Sequence, residues 1–263
     1  MSNISTQRGL VVCGTSPAAM ECAAMMASRG AAVYIYGGAL PTNFSPSEIQ
    51  ASIFHDITDI VPYAESWYIL DFTPIASSAD IPAYVRDLIA QSSVIYSAAA
   101  AACTATALSQ WTGIPSVSLI GGMAGFTRNA SIECSVSLTA APELAAQVTS
   151  IWQSLGYAVH LVEDRVGLIA PRILATLINE AAFAVMEGVA SVSDIDKAMT
   201  LGVNYPKGLL SWADEIGLDY ILALLDGLYD EYHQERYRAA VILRQYVRAG
   251  YLGKVTGRGF YTY

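Results

Sequence analysis

The chain is poor in charge and poorer still in positive charge. Only 14% of its 263 residues are charged, and 14 Lys and Arg face 23 Asp and Glu, a formal net charge of −9. Nucleic acids and anionic membranes are gripped by basic patches, so neither is an expected partner. Histidine is almost absent: His55 falls in a loop beside Asp56. His160 alternates along a strand as a surface or satisfied core residue. His233 lies at an acidic helix end with Asp230, Glu231 and Glu235. None of the three reads as a catalytic group or a metal ligand. The four cysteines (Cys13, Cys22, Cys103, Cys134) form no CxxC pair and sit in apolar or small-residue runs. That excludes a disulfide framework and a metal knuckle, and fits reduced core thiols of a cytoplasmic protein. No run of eighteen strongly apolar residues occurs. The nearest approach, 94–108, is mostly Ala, Ser and Thr, so no membrane span is expected. Residues 1–8 are polar and lack the charged-then-apolar pattern of a secretory signal.

What is present is apolar mass, 54% of residues, in a chain long enough for two modest domains. Residues 9–13 form a short apolar run that reads as a buried strand ended by Gly14. Ser16-Pro17 reads as an N-cap followed by proline at the first helical position. Ala19, Cys22, Ala23 and Met26 then repeat at helical spacing up to Gly30. Strand-like runs follow at 32–36, 67–72, 93–96, 117–119, 131–137 and 158–162, with helical stretches at 81–91 and 142–155. Such alternation predicts an α/β domain over 1–163, a Rossmann-like doubly wound parallel sheet. Beyond Glu163-Asp164 the period becomes helical throughout, and 164–263 is expected to be all-α. Its helices are expected over 167–187, from Ser191 onward, up to Gly217, from an Asp219 cap to about 232, and over 237–249. Asn204 to Gly208 reads as a turn.

The turn after the first strand, Gly14-Thr-Ser-Pro-Ala-Ala19, stands where a dinucleotide-binding GxGxxG loop would. Gly14 occupies the first glycine position, Ser16 the second and Ala19 the third. Ser16 adds a Cβ and hydroxyl where backbone would approach a pyrophosphate, and Pro17 removes an N–H from the helix start. The acidic residue that would hold ribose at the end of the second strand is replaced by Tyr36-Gly37-Gly38.

The helical half carries a longer signature. It comprises Gly167-Leu-Ile-Ala-Pro-Arg172, Asn179-Glu180-Ala181, Glu187-Gly188-Val189, Asp194-Ile195-Asp196, Met199 and Leu201-Gly202. It continues with Ala213-Asp214-Glu215-Ile216-Gly217-Leu218-Asp219 and the ending Thr256-Gly257-Arg258-Gly259-Phe260-Tyr261. In that order these residues resemble the C-terminal domain of 3-hydroxyacyl-CoA dehydrogenases. The resemblance implies NAD-dependent oxidation of 3-hydroxyacyl-CoA to 3-ketoacyl-CoA in fatty-acid metabolism. It also implies NAD as cofactor, an acyl-CoA or related small molecule as ligand, and a homodimer formed through the C-terminal helices.

The same resemblance locates the catalytic positions. The family's catalytic histidine falls near Ile120, its Ser-Asn-Thr-Ser-Ser segment on Ser97-Ala-Ala-Ala-Ala101 with a catalytic position near Ala100, and its asparagine on Pro171. Ser97 and Glu133 are the remnants that could still act. An isoleucine cannot take a proton, and loss of a general base alone costs about 10²–10⁴ in rate. The helical pair that helps to hold CoA in the family has no counterpart in 39–60, which is short and contains no Lys or Arg. Three readings follow: an impaired or inactive family member, an active NAD-dependent dehydrogenase using Ser97, Ser118 or Glu133 with a water, or a non-catalytic partner of an active paralogue.

Overall fold

The computed structural model describes residues 8–14, 16–36, 52–54, 66–85, 94–99, 102–123 and 125–263. The chain divides into two compact units, Met1–Leu168 and Ile169–Tyr263.

The first unit is an eight-stranded sheet in the order β3-β2-β1-β4-β5-β6-β7-β8. Its strands are β1 (Arg8–Cys13), β2 (Val33–Tyr36), β3 (Ser52–Phe54), β4 (Ser66–Asp71), β5 (Val94–Ala98), β6 (Val117–Ile120), β7 (Ser131–Val136) and β8 (Ala158–Leu161). Successive side chains of a strand leave on opposite faces. Leu10, Val12, Tyr68, Leu70, Ile95 and Ile120 therefore join one apolar cluster. Their neighbours Val11, Cys13, Ile69, Tyr96 and Leu119 join the other. Helix α1 (Pro17–Ser28) and helix α3 (Leu144–Ser154) cover the first face through Ala19, Ala23, Met26, Val148 and Trp152. Helix α2 (Ala105–Thr112) covers the second through Ala105 and Leu108. Strands buried on both faces read as continuous apolar runs, which is why no alternation marks them in the sequence.

One strand departs from the parallel expectation. Strands β1 to β6 pair in parallel, but β7 runs antiparallel to β6, with Ile120 opposite Cys134, and β8 then pairs parallel to β7. A parallel return needs a crossover of about a dozen residues or more. The described part of the β6–β7 connection holds only the short turn Phe126–Arg128, so the chain folds back. The expected helix at 81–91 lies mostly outside the described residues, as do His55 and most of 39–60. Asp164 belongs to the sheet unit. Its carboxylate accepts from the Ala105 and Thr106 amides at 2.6 and 2.8 Å and so caps α2.

The second unit is all-helical: α4 (Ala170–Met186), α5 (Val192–Lys197), a π-helical turn Ala198–Gly202, α6 (Leu209–Ile216), α7 (Leu218–Tyr232) and α8 (Val241–Arg248). Leu174, Ile178, Ala181 and Ala182 make the buried stripe of α4, and Ile221, Leu224, Leu225 and Leu228 that of α7. Helix α4 starts three residues later than its apolar period suggests. Gly167 and Leu168 have φ of +75° and +50°, a left-handed pair that no right-handed helix can include. Helix α7 is capped by Gly217, and Asp219 sits in its first turn. Helix α8 begins at Val241 because the Ala240 amide donates to Asn179 Oδ1 at 2.8 Å; Tyr237 belongs to a separate turn, Glu235–Tyr237. Among the described residues no helix is long and apolar enough to cross a membrane, and no group of three or more His, Cys, Asp or Glu could hold a metal ion.

Candidate functional site

In an open sheet of this order, ligands bind outside the carboxyl ends of the strands where the order reverses, here beside β1 and β4. Gly14 leaves β1 with φ of +100°, and its amide donates to the Tyr36 carbonyl at 2.9 Å. Ser16 caps α1: its Oγ accepts from the Ala19 amide at 3.2 Å, while Pro17 holds the first helical position without an N–H. Two of the donors that could face a phosphate at this helix start are thus already used or absent. Ala19 is fully buried in the core.

The neighbouring strand ends hold a polar cluster with no motif in the sequence. Asp71, the last residue of β4, is fully buried. Its carboxylate accepts from the Tyr84 hydroxyl, from the Tyr96 hydroxyl at 2.5 Å and from the Thr73 amide at 2.8 Å. Burial, then the Asp71 charge, push the Cys13 thiol and the Tyr96 phenol well above their ordinary values. The Tyr84 ring meets the Tyr36 ring edge-on, centroids 4.7 Å apart, so aromatic side chains stand at the end of β2 where a ribose carboxylate was sought. The other cysteines are no better nucleophiles: burial pushes Cys103 and Cys134 up to about 12.

Ile120 ends β6 and is 3% exposed, within the same apolar cluster as Phe72, Ala99 and Phe126. The strand ends close tightly here. A Cβ on Gly122 would stand 2.6 Å from Ala99 Cβ and 3.3 Å from the Phe72 ring. The loop after β6 is tied to α1 by Glu21, which accepts from the Gly125 amide at 2.9 Å and the Thr127 hydroxyl at 2.6 Å. Ser97 and Ser118 are both fully buried and their hydroxyls are hydrogen-bonded to each other. Ser97 also bonds Tyr68, whose hydroxyl accepts from the Trp152 indole at 2.8 Å. Glu133 is half-buried on β7, paired in register with His160, which is exposed on the edge strand β8. Ala100 lies outside the described residues.

In the helical unit, Pro171 is buried in the first turn of α4. The next residue, Arg172, lies over the rings of Tyr232 and Tyr237, at 4.7 and 5.1 Å from their centres. Two buried carboxylates organise the rest. Asp196 accepts from the Leu210 and Ser211 amides at 2.8 and 2.9 Å, capping α6, and from the Tyr261 hydroxyl at 2.9 Å. Asp214 accepts from the Phe260 and Tyr261 amides, both at 2.9 Å, and binds the C-terminal segment down.

The C-terminal domain of 3-hydroxyacyl-CoA dehydrogenase matches residues 167–263. A probable 3-hydroxybutyryl-CoA dehydrogenase of Bacillus subtilis (strain 168) is 41% identical over 132 residues, 50% of this chain and 46% of the relative. Residues 167–263 belong to the 3-hydroxyacyl-CoA dehydrogenase C-terminal domain family. The 3-hydroxyadipyl-CoA dehydrogenase of Escherichia coli (strain K12) is 47% identical over 93 residues, 35% of this chain and 20% of that protein. The aligned stretches thus span about half or less of these relatives. The fold is shared over the whole chain. The crystal structure of (S)-3-hydroxybutyryl-CoA dehydrogenase from Ralstonia eutropha has a TM-score of 0.73 at 25% identity, covering 98% of this chain and 99% of that one. That of FadB2 from M. tuberculosis has a TM-score of 0.79 at 21% identity over 98% and 99%.

Three glycines of the helical unit are explained by the two carboxylates. A Cβ on Gly208 would stand 2.1 Å from Asp196 Cγ, and one on Gly259 2.0 Å from Asp214 Oδ1. Gly253, at φ +103°, would collide with the Asp214 backbone at 2.3 Å. Asn179 pins the strap before α8, donating to the Arg238 carbonyl at 3.0 Å and accepting from Ala240. The sequence reading found Asn179, Asp196, Asp214 and Gly259 by resemblance, read Gly208 in a turn and did not single out Gly253. It missed Asp71, Tyr84, Tyr96 and Glu21, whose partners lie up to 106 residues away.

Proposed function

We propose that the chain is a 3-hydroxyacyl-CoA dehydrogenase family member that is impaired or inactive in the family's reaction, the NAD-dependent oxidation of 3-hydroxyacyl-CoA. The observation that carries the reading is Ile120, at the end of β6 and packed in core with Phe72, Ala99 and Phe126. The reaction needs a base for the hydroxyl proton and donors around the oxygen. The residues that stand in for those groups are apolar at Ile120 and without a donor at Pro171. Ser97 and Ser118 are committed to each other, which speaks against their use as substitutes. The turn residues also fit NAD poorly: Ser16 Oγ occupies the Ala19 amide, Pro17 offers none, and Tyr36 replaces a ribose ligand. No step is therefore assigned through the cofactor.

In this reading the chain is a cytoplasmic protein of fatty-acid metabolism that self-associates through its helical unit. Support for self-association is the unpaired apolar surface of that unit, with Leu201 84% and Val203 61% exposed. Titration with NADH and acetoacetyl-CoA, following binding and NADH consumption, tests the proposal. The expected turnover is at least about 10²–10⁴ below that of an active relative. Turnover of about 1–10³ s⁻¹ would reject the proposal and favour an active enzyme with other groups. Sedimentation of the purified chain reads the assembly: a homodimer is expected. A monomer that pairs only with a dehydrogenase paralogue would replace self-association with a partner-subunit role.

A further inference from the structure

We propose that the helical unit carries a binding site for a small aliphatic carboxylate, independent of the sheet unit and of whatever it binds. The site is a surface-open groove of about 300 Å³ lined by Arg172, Ile173, Thr176, Leu177, Arg236 and Tyr237. It is built from two elements that are locked together. Asn179 holds the Arg238–Ala240 strap against α4, which sets Arg236 and Tyr237 beside the first two turns of that helix. Tyr237 is buried, and two guanidinium groups share its ring: Arg236 at 4.7 Å and Arg172 at 5.1 Å from the centroid. Arg172 is further fixed by hydrogen bonds to the Tyr237 hydroxyl and, at 3.4 Å, to the Tyr232 hydroxyl.

The electrostatics point to an anion. The chain has only 14 basic residues against 23 acidic ones, yet two arginines converge on this one groove. None of the ion pairs among the described residues includes Arg172 or Arg236. The adjacent carboxylate, Glu235, is taken by Arg238 at 2.8 Å. Two like charges at one ring repel unless an anion joins them. Each guanidinium has five N–H donors, and Arg172 engages phenol oxygens with only two of its nitrogens, which leaves donors for a carboxylate fork.

The remaining wall sets the rest of the ligand. Ile173, Leu177 and the Thr176 methyl form an apolar floor that an inorganic anion would leave uncovered. A volume of about 300 Å³ lies at the small end of ligand pockets and suits a short-chain carboxylate.

The test uses the full chain and three probes in calorimetric titration: hexanoate, hexanamide (the chain without the charge) and acetate (the charge without the chain). Hexanoate is expected to bind saturably and at least about tenfold tighter than either control, the scale of one charge-assisted hydrogen bond. Arg236→Gln, an exposed position, should melt like the parent and lower hexanoate binding to the level of hexanamide. Hexanoate binding no tighter than hexanamide overturns the proposal, as does tight binding that survives Arg236→Gln. Acetate binding as tightly as hexanoate removes the aliphatic part. Failure of hexanoate to bind, whether the chain sediments as a monomer or as a dimer, refutes the site.

Discussion

Gly208→Ala isolates the constraint that organises the helical unit. Gly208 caps α6 with φ of −64° and ψ of 141°, a conformation alanine adopts freely. The cost is therefore steric. The added Cβ would stand 2.1 Å from Asp196 Cγ and 2.4 Å from Oδ2. Asp196 is buried and holds the Leu210 and Ser211 amides and the Tyr261 hydroxyl, so pushing it aside strips three donors at once. Hydrogen bonds to a charged group are worth about 1.5–3 kcal/mol each, and a lost helix cap about 1 kcal/mol. With partial relaxation the expected loss is about 3–5 kcal/mol, among the severe single substitutions. Two glycines calibrate it. Gly202→Ala meets nothing within 4 Å and has no left-handed φ, so it should stay within about 0.5 kcal/mol. Gly250→Ala is equally unhindered but sits at φ +74°, for about 1–2 kcal/mol. Urea unfolding followed by far-UV circular dichroism gives the midpoint of the whole chain, and Trp212 in α6, the one of four tryptophans within the helical unit, reports on that unit when Trp67, Trp111 and Trp152 are replaced by Phe. The Asp196→Gly background, which removes the Asp196 Cβ at 2.4 Å together with the carboxylate, supplies the second check. With the whole clashing side chain gone, Gly208→Ala should add less than about 0.5 kcal/mol. A parent variant as stable as Gly202→Ala, or additive losses in the double variant, would refute the reasoning.

Glu215 gives a pH signature. Burial would raise its carboxyl, but Lys207 and Lys254, the latter at 2.7 Å, hold it below the ordinary 4.5. Its stabilisation is thus present above the unfolded value and lost as pH falls through the depressed one. Glu215→Gln should melt lower than the parent at neutral pH, and the gap should close in acid; a gap that widens in acid would contradict the assignment. Asp214 beside it is shifted upward, chiefly by burial, so only the comparison of variants, not the parent profile, reads Glu215. In the sheet unit, Glu21→Gln replaces an acceptor of the Gly125 amide and Thr127 hydroxyl by a partial donor. Exchange of the Gly125 amide hydrogen should speed up by about tenfold, and an unchanged rate would show that Glu21 does not hold the loop.

Local chemistry was legible in the sequence, and long-range chemistry was not. Ser16 and Ser191 were readable as caps because a cap bonds an amide three residues on, and both do so. Gly30 and Gly250 were readable as stops, and each has a left-handed φ. The mostly parallel α/β class of the first unit followed from apolar runs alternating with helices. The reversal of β7 did not, because a strand's direction depends on whether its connection can cross the sheet. The start of α8 was misread for a related reason. Residues 237–240 have helical composition, but Asn179 claims the Ala240 amide from 61 positions away. At the candidate site, Ile120 could be read as a missing base. The cluster of Asp71, Tyr84 and Tyr96 could not, since its members share no spacing and meet only through strand register.

These contacts also decide what identity to the family can mean. The stretch matched by the family domain, 167–263, contains Gly208 with Asp196, Gly253 and Gly259 with Asp214, and Asn179 with its strap. Each pairing is a mutual steric or hydrogen-bonding demand, and none involves a reacting atom. A chain that catalyses and a chain that does not would need the same residues at the same places to hold these helices together. High identity in this half is therefore accounted for by packing, and at the carboxyl ends of β1, β4, β5 and β6 aromatic and aliphatic side chains pack closely together. A side chain at position 120 points into a cluster that includes Phe72, Ala99 and Phe126, so a histidine placed there would be buried. Burying an imidazole there costs about 1–3 kcal/mol or more unless it finds a partner.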